Sequence, residues 1–132
     1  MSGNKKVLLD TNVLIYASKA LLDLEKLSKR YDVFFVSIIT YMEIYAYDFV
    51  NAAELDAINK IFEALEIINI DLELSNQAIL YRKNKIKKIK LPDALVLASA
   101  KIVNADLLTN NHKDFVGIDN QLFIQTLDDF FV

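Results

Sequence analysis

A chain of 132 residues with a net charge of −3 and 54% hydrophobic residues is expected to fold as one domain, residues 1–132, around its own core. It contains no cysteine, which excludes a disulfide framework, a thiolate nucleophile and a zinc–thiolate site. No apolar run approaches the ~18 residues a membrane helix needs, and the run after Lys5 and Lys6 stops at Asp10, too short for a signal peptide, so a cytoplasmic location is expected.

The first apolar run, KKVLLD at 5–10, predicts a strand buried on both faces that ends in a carboxylate. Residues 12–30 follow with apolar positions at 14, 15, 21, 22, 24 and 27, enough for one or two helices. VFFVS at 33–37 is a second buried strand, and IITYMEIYAYDFV continues from it with helical spacing. Leu55, Ile58, Ile61, Phe62 and Leu65 recur three and four residues apart, which predicts a helix over 52–65. EIINI at 66–70 reads as a third strand, LELSNQAILYRKNK as an amphipathic helix and PDALVLASAKIVNA as a largely buried one. DLLT at 106–109 is a fourth strand, and LFIQ at 122–125 is a candidate edge strand. Strands separated by long helical stretches need crossover connections, hence an α/β fold with a parallel sheet and helices on both faces. Ligands of such sheets gather at the carboxyl ends of the strands, where Asp10 stands.

Four acids fall in places that ask for a use. Asp10, at the head of DTN, is either the N-cap of the next helix or a ligand. Glu43 has Ile39, Thr40, Ala46 and Tyr47 one helical turn away. An ionised carboxylate buried among them needs a partner or a metal, unless it reaches out to solvent. Asp93 follows Pro92 in the first turn of a helix with no other charge until Lys101; Pro and a carboxylate both suit that turn. Asp114, in LLTNNHKDF, is either a turn residue or a ligand. Asp10 and Asp114 stand at or beyond strand ends, and Glu43 begins the second turn of a helix leaving another strand. All four are therefore expected along one edge of the sheet.

Crowded carboxylates repel one another and take up protons unless a cation neutralises them. Oxygen ligands of this kind suit Mg²⁺ or Mn²⁺. A single His, no Cys, and Gly only at positions 3 and 117 leave metal-assisted hydrolysis as the available enzyme chemistry. Arg82, Lys83, Lys85, Lys87, Lys88 and Lys90 form a basic run without an acid, either a solvated segment or a phosphate-steering patch on an acidic protein. Tyr41, Tyr45, Tyr47 and Phe49 read as core or dimer packing, and His112 as an exposed loop residue.

Taken together, LLDTNVLIYA, VSIITYMEI, LPDALVLASA and DLLTNNHKDF resemble the PIN-domain ribonucleases, above all the VapC-type toxins of toxin–antitoxin pairs. The motifs stand in family order and cover nearly the whole chain. The resemblance implies a three-layer sandwich with a central parallel sheet of four to five strands. It makes Asp10, Glu43, Asp93 and Asp114 the catalytic, metal-binding set for Mg²⁺ or Mn²⁺. Asn12 then supports the first acid, while Thr109 and Asn111 orient the last. It further implies an endoribonuclease acting on RNA through a metal-activated water, a homodimer, an antitoxin partner, and a role for Lys85, Lys87 and Lys88 in holding RNA. Many relatives carry an acid where this chain has Asn111, which puts the part played by Asp114 in question. Two alternatives stand beside it. One is a non-catalytic PIN-like module that binds RNA or protein. The other is a phosphotransfer domain, which lacks support because DTN supplies no second acid beside Asp10.

Overall fold

The run KVLL forms β1 (Lys6–Leu9), whose last three residues are buried. The Val- and Phe-rich VFFVS gives β2 (Val33–Ser37), and shorter runs give β3 (Glu66–Ile68), β4 (Asp106–Leu108) and β5 (Ile124–Gln125). This is a computed structural model that describes residues 5–132; Gly3 and the rest of the first four positions of the expected 1–132 domain lie outside the described residues. The five strands pair in parallel in the order β3-β2-β1-β4-β5, so the candidate strand at 122–125 is indeed an edge.

Residues 12–30 divide into two helices, α1 (Thr11–Ser18) and α2 (Leu24–Arg30). The others are α3 (Ile38–Tyr45), α4 (Ala52–Glu63), α5 (Leu72–Arg82), α6 (Leu91–Val103) and α7 (His112–Phe115), with a 3₁₀ turn at Asp128–Phe130. Local chemistry sets the starts. Asp23, Asn51 and Asp71 accept the third-residue N–H of α2, α4 and α5, and Ser37 accepts from Ile39 in α3. α6 has no side-chain cap; Pro92 occupies its first turn, where a missing N–H costs nothing, and left-handed Asn104 (φ 61°) closes it. The short α7 departs from the loop expected around His112. Only Phe115 of its four residues is buried, too little to produce a periodic pattern.

Alternation along the strands builds two cores. Val7, Leu9, Val36 and Leu108 pack on one face with Val13, Leu14, Leu27 and Ile58 of α1, α2 and α4. Leu8, Phe35 and Leu107 pack on the other with Leu74, Ala78, Leu97 and Phe115. The result is the expected three-layer sandwich. Tyr41 and Tyr45, expected in the core or in a dimer interface, are exposed on α3 and not in the core, their rings packed against Phe62 of α4.

β1 has β2 and β3 on one side and β4 and β5 on the other. The segment leaving β1 enters α1 on one face, while the segment leaving β4 carries Phe115 to the opposite face. Chains that diverge this way open a crevice at the carboxyl ends of β1 and β4.

Candidate acidic site at the switch point

Asp10 is the first residue beyond β1, and its N–H extends the ladder to the Leu108 carbonyl at 3.0 Å. Its carboxylate caps α1 by accepting the Thr11 N–H at 2.8 Å through Oδ1. The other oxygen, Oδ2, accepts the Thr109 hydroxyl at 2.8 Å. Capping and site duty therefore coexist in one side chain. Burial holds the Asp10 carboxyl above the ordinary carboxylate range; the bonds from Thr109 and Thr11 oppose this, and the charges of Glu43 and Asp114 add to it.

Glu43 reaches the same place from α3. Its Oε1 accepts the Thr11 hydroxyl at 2.6 Å, and that hydroxyl also lies 3.3 Å from Thr40. Glu43 is exposed, so of the two alternatives its apolar helical neighbours left open, burial or reaching out to solvent, the second holds. Asp93, half-buried in the first turn of α6, also has its carboxyl held above the ordinary range. Burial is the main cause, followed by the charges of Asp10 and Asp114; Lys90 opposes them, and Glu43 contributes least. Asp114 sits on α7, exposed, and is close enough for its charge to act on both Asp10 and Asp93.

The four acids thus share one electrostatic neighbourhood. Among the described residues they do not close into a ready-made cage, since no group of three Asp, Glu, His or Cys side chains converges tightly enough to hold an ion alone. Mg²⁺ does not demand such a cage: it commonly keeps several waters and takes one or two carboxylates. Asp10 and Asp93, both crowded by negative charge and both short of a full set of donors, fit that donor set.

The supporting residues differ in part from expectation. Thr109 serves the first acid, not the last, because β1 and β4 are neighbours and place it beside Asp10. Asn111 offers its backbone N–H to the Thr109 hydroxyl at 3.0 Å and makes no side-chain cap on α7. Asn12 turns to Asn110, whose amide in turn donates to the Tyr16 hydroxyl at 3.0 Å. Thr11 and Asn110 are the residues the sequence did not single out. The middle letter of DTN was the available signal for Thr11; nothing short of strand pairing pointed to Asn110.

The basic run is not uniform. Lys85 and Lys88 are exposed in the α5–α6 connection. Lys87 donates to the carbonyls of Lys113 and Val116, so its ammonium ties this connection to α7. Lys90 is the N-cap residue of α6, beside Asp93.

The PIN domain model matches residues 7–120 of the chain. The chain belongs to the PIN domain family, as its four motifs imply. Its fold is similar to that of a chain of VapBC2 from Rickettsia felis, crystallised on a promoter DNA fragment (TM-score 0.76, 26% identity, 92% of this chain and 98% of that one). It is similar also to a chain of a toxin–antitoxin complex from Klebsiella pneumoniae (TM-score 0.67, 29% identity, 89% and 99%). DNA-bound VapBC from Salmonella typhimurium shares the fold (TM-score 0.77, 22% identity, 93% and 98%). No curated protein matches the chain.

Proposed function

We propose that this chain is a Mg²⁺- or Mn²⁺-dependent endoribonuclease and the toxin of a toxin–antitoxin pair. The observation that carries this is the gathering of the acids at the switch point, where Thr11 joins Asp10 and Glu43 and where burial first, and neighbouring acids after it, hold the carboxyls of Asp10 and Asp93 above their ordinary range. Such crowding is relieved by a divalent cation, which Asp10 and Asp93 would hold, with Glu43 and Asp114 acting directly or through water. A bound ion of this class lowers the pKa of a water and stabilises charge at phosphorus. The remaining work belongs to the chain. Thr11 and Thr109 fix the oxygens of Asp10 and Glu43 through three hydrogen bonds of 2.6–2.8 Å. Lys85 and Lys88 meet RNA phosphates at the entrance.

The similarity to chains solved in toxin–antitoxin complexes supports a protein partner. So does an apolar groove of about 310 Å³ lined by Leu24, Leu27, Phe34, Ile61 and Leu65. Among the described residues no helix is long and apolar enough to cross a membrane. Exposed Tyr41, Met42 and Tyr45 on α3 support the homodimer.

The test is cleavage of a mixed RNA pool with Mn²⁺, with EDTA, and by Asp10→Asn, Glu43→Gln and Asp93→Asn. Cleavage by the wild type with Mn²⁺, and its loss in every other case, is the expected result. Cleavage that survives EDTA overturns the mechanism. A wild type that neither cuts RNA nor gives a calorimetric signal with Mn²⁺ is the non-catalytic module.

A further inference from the structure

We infer that a pocket beside the acids takes one nucleobase of the RNA, with Phe131 stacking on it and Asn111 and Asp128 discriminating among bases there. The inference rests on the ribonuclease reading and adds a specificity site to it. The pocket, about 360 Å³, opens between the β4–α7 turn and the last turn of the chain. That volume lies in the range of small-ligand pockets, roughly 300–1,000 Å³. It is two hydrogen bonds from the acidic site: the Asn111 N–H donates to Thr109 at 3.0 Å, and the Thr109 hydroxyl donates to Asp10 at 2.8 Å.

Its lining has the chemistry of a base and not that of a bare phosphate. Phe131 is exposed, yet its main chain is fixed on both sides. The Phe130 carbonyl accepts from Asp23 N–H at 2.7 Å, and Val132 N–H donates to the Leu21 carbonyl at 3.1 Å. The ring is about half exposed, with Tyr16 tilted against it at 6.0 Å between centroids, and its exposed part is a stacking platform available to every base. Buried Leu127 lines the same pocket. The polar part of the lining includes the Asn111 amide, which caps nothing, and the exposed Asp128 carboxylate. Against these stands one Lys, Lys113, so the lining is not the positive cradle a phosphate needs. A carboxylate accepts from exocyclic amino groups, which guanine, adenine and cytosine carry and uracil lacks. The Asn110 wall is held rigid, its amide engaged by Asn12 at 3.3 Å and Tyr16 at 3.0 Å.

The experiment uses the Asp10→Asn protein, which the reading above makes silent in cleavage, and fluorescent eight-residue RNAs. Each RNA is oligouridine with one central position changed to G, A, C or left as U. Binding is measured against salt for this protein and after adding Phe131→Ala, Asn111→Ala or Asp128→Ala. Tighter binding of the amino-bearing RNAs than of oligouridine is expected. Phe131→Ala should weaken binding on the order of tenfold for every RNA. Asp128→Ala should erase the preference for amino-bearing bases and Asn111→Ala should reduce it, with the salt slope unchanged in all three variants. Equal binding of all four RNAs, with the variants indistinguishable from their parent, overturns the pocket and leaves the nuclease reading standing. No binding of any RNA overturns both.

Discussion

Thr11 ties two acids to one backbone position. Its N–H serves Asp10 at 2.8 Å and its hydroxyl serves Glu43 at 2.6 Å, so helix α1 starts where the site starts. Thr109 completes Asp10 from the neighbouring strand and is itself fully buried. Thr109→Val keeps the shape and deletes the donor. It should cost about 1–3 kcal/mol in metal-free unfolding, measured by urea denaturation, because a buried carboxylate oxygen loses its partner. The pH dependence follows from Asp10 and Asp93, whose folded carboxyls lie above their unfolded value of 3.8. Such groups bind protons more readily folded than unfolded, so their contribution to stability is least favourable above the folded pKa. In EDTA, the Tm should rise as pH falls from neutral toward the ordinary carboxylate range, and Asp93→Asn should flatten that rise. Asp119 acts in a lower window. Burial alone would raise it, but the Tyr81 hydroxyl, the Gln121 N–H and Lys101 hold it below its ordinary value, so its contribution is lost only at more acid pH.

Among the elements, α7 is the least self-sufficient, with four residues and one buried anchor, Phe115. A helix this short has little stability of its own and depends on tertiary contacts. Lys87 supplies two, to the carbonyls of Lys113 and Val116 that flank Asp114 and Phe115. Lys87→Met should therefore lower stability by about 1 kcal/mol and weaken Mn²⁺ binding through Asp114, while leaving the salt slope of RNA binding unchanged. Lys85→Gln and Lys88→Gln should each lower that slope by roughly 0.7, the value for one phosphate contact on a single strand. Slopes for Lys85→Gln and Lys88→Gln that match the wild type would return both lysines to a plain solvated surface.

For the molecule as a whole, the proposed metal would link binding to folding. If the acids hold an ion only when β1, β4, α3 and α6 are assembled, Mn²⁺ binds the folded state alone. At a hundred times its Kd it should then stabilise by about 2.7 kcal/mol, raising the Tm by roughly 10 °C. Asp10→Asn should abolish that shift, and differential scanning calorimetry reads both. None of the four acids lines the apolar groove of α1, α2 and α4.

Strands buried on both faces, helices with three- and four-residue spacing and a Pro-led helix start were legible from residue order, because each is a local pattern about ten residues long. So were the four acids as exceptions to that pattern: Asp10 after an apolar strand and Asp93 after Pro92 stand out without coordinates. The PIN-type architecture followed from those motifs in order. The pairing of β1 with β4, some hundred residues apart in the chain, was not legible. That pairing gives Thr109 to Asp10 instead of Asp114. The exposure of Glu43, the anchoring of Lys87 and the pocket beside Asn111 likewise depend on contacts between distant segments. Local order dictates which side chains are unusual; only packing across the sheet decides which of them meet.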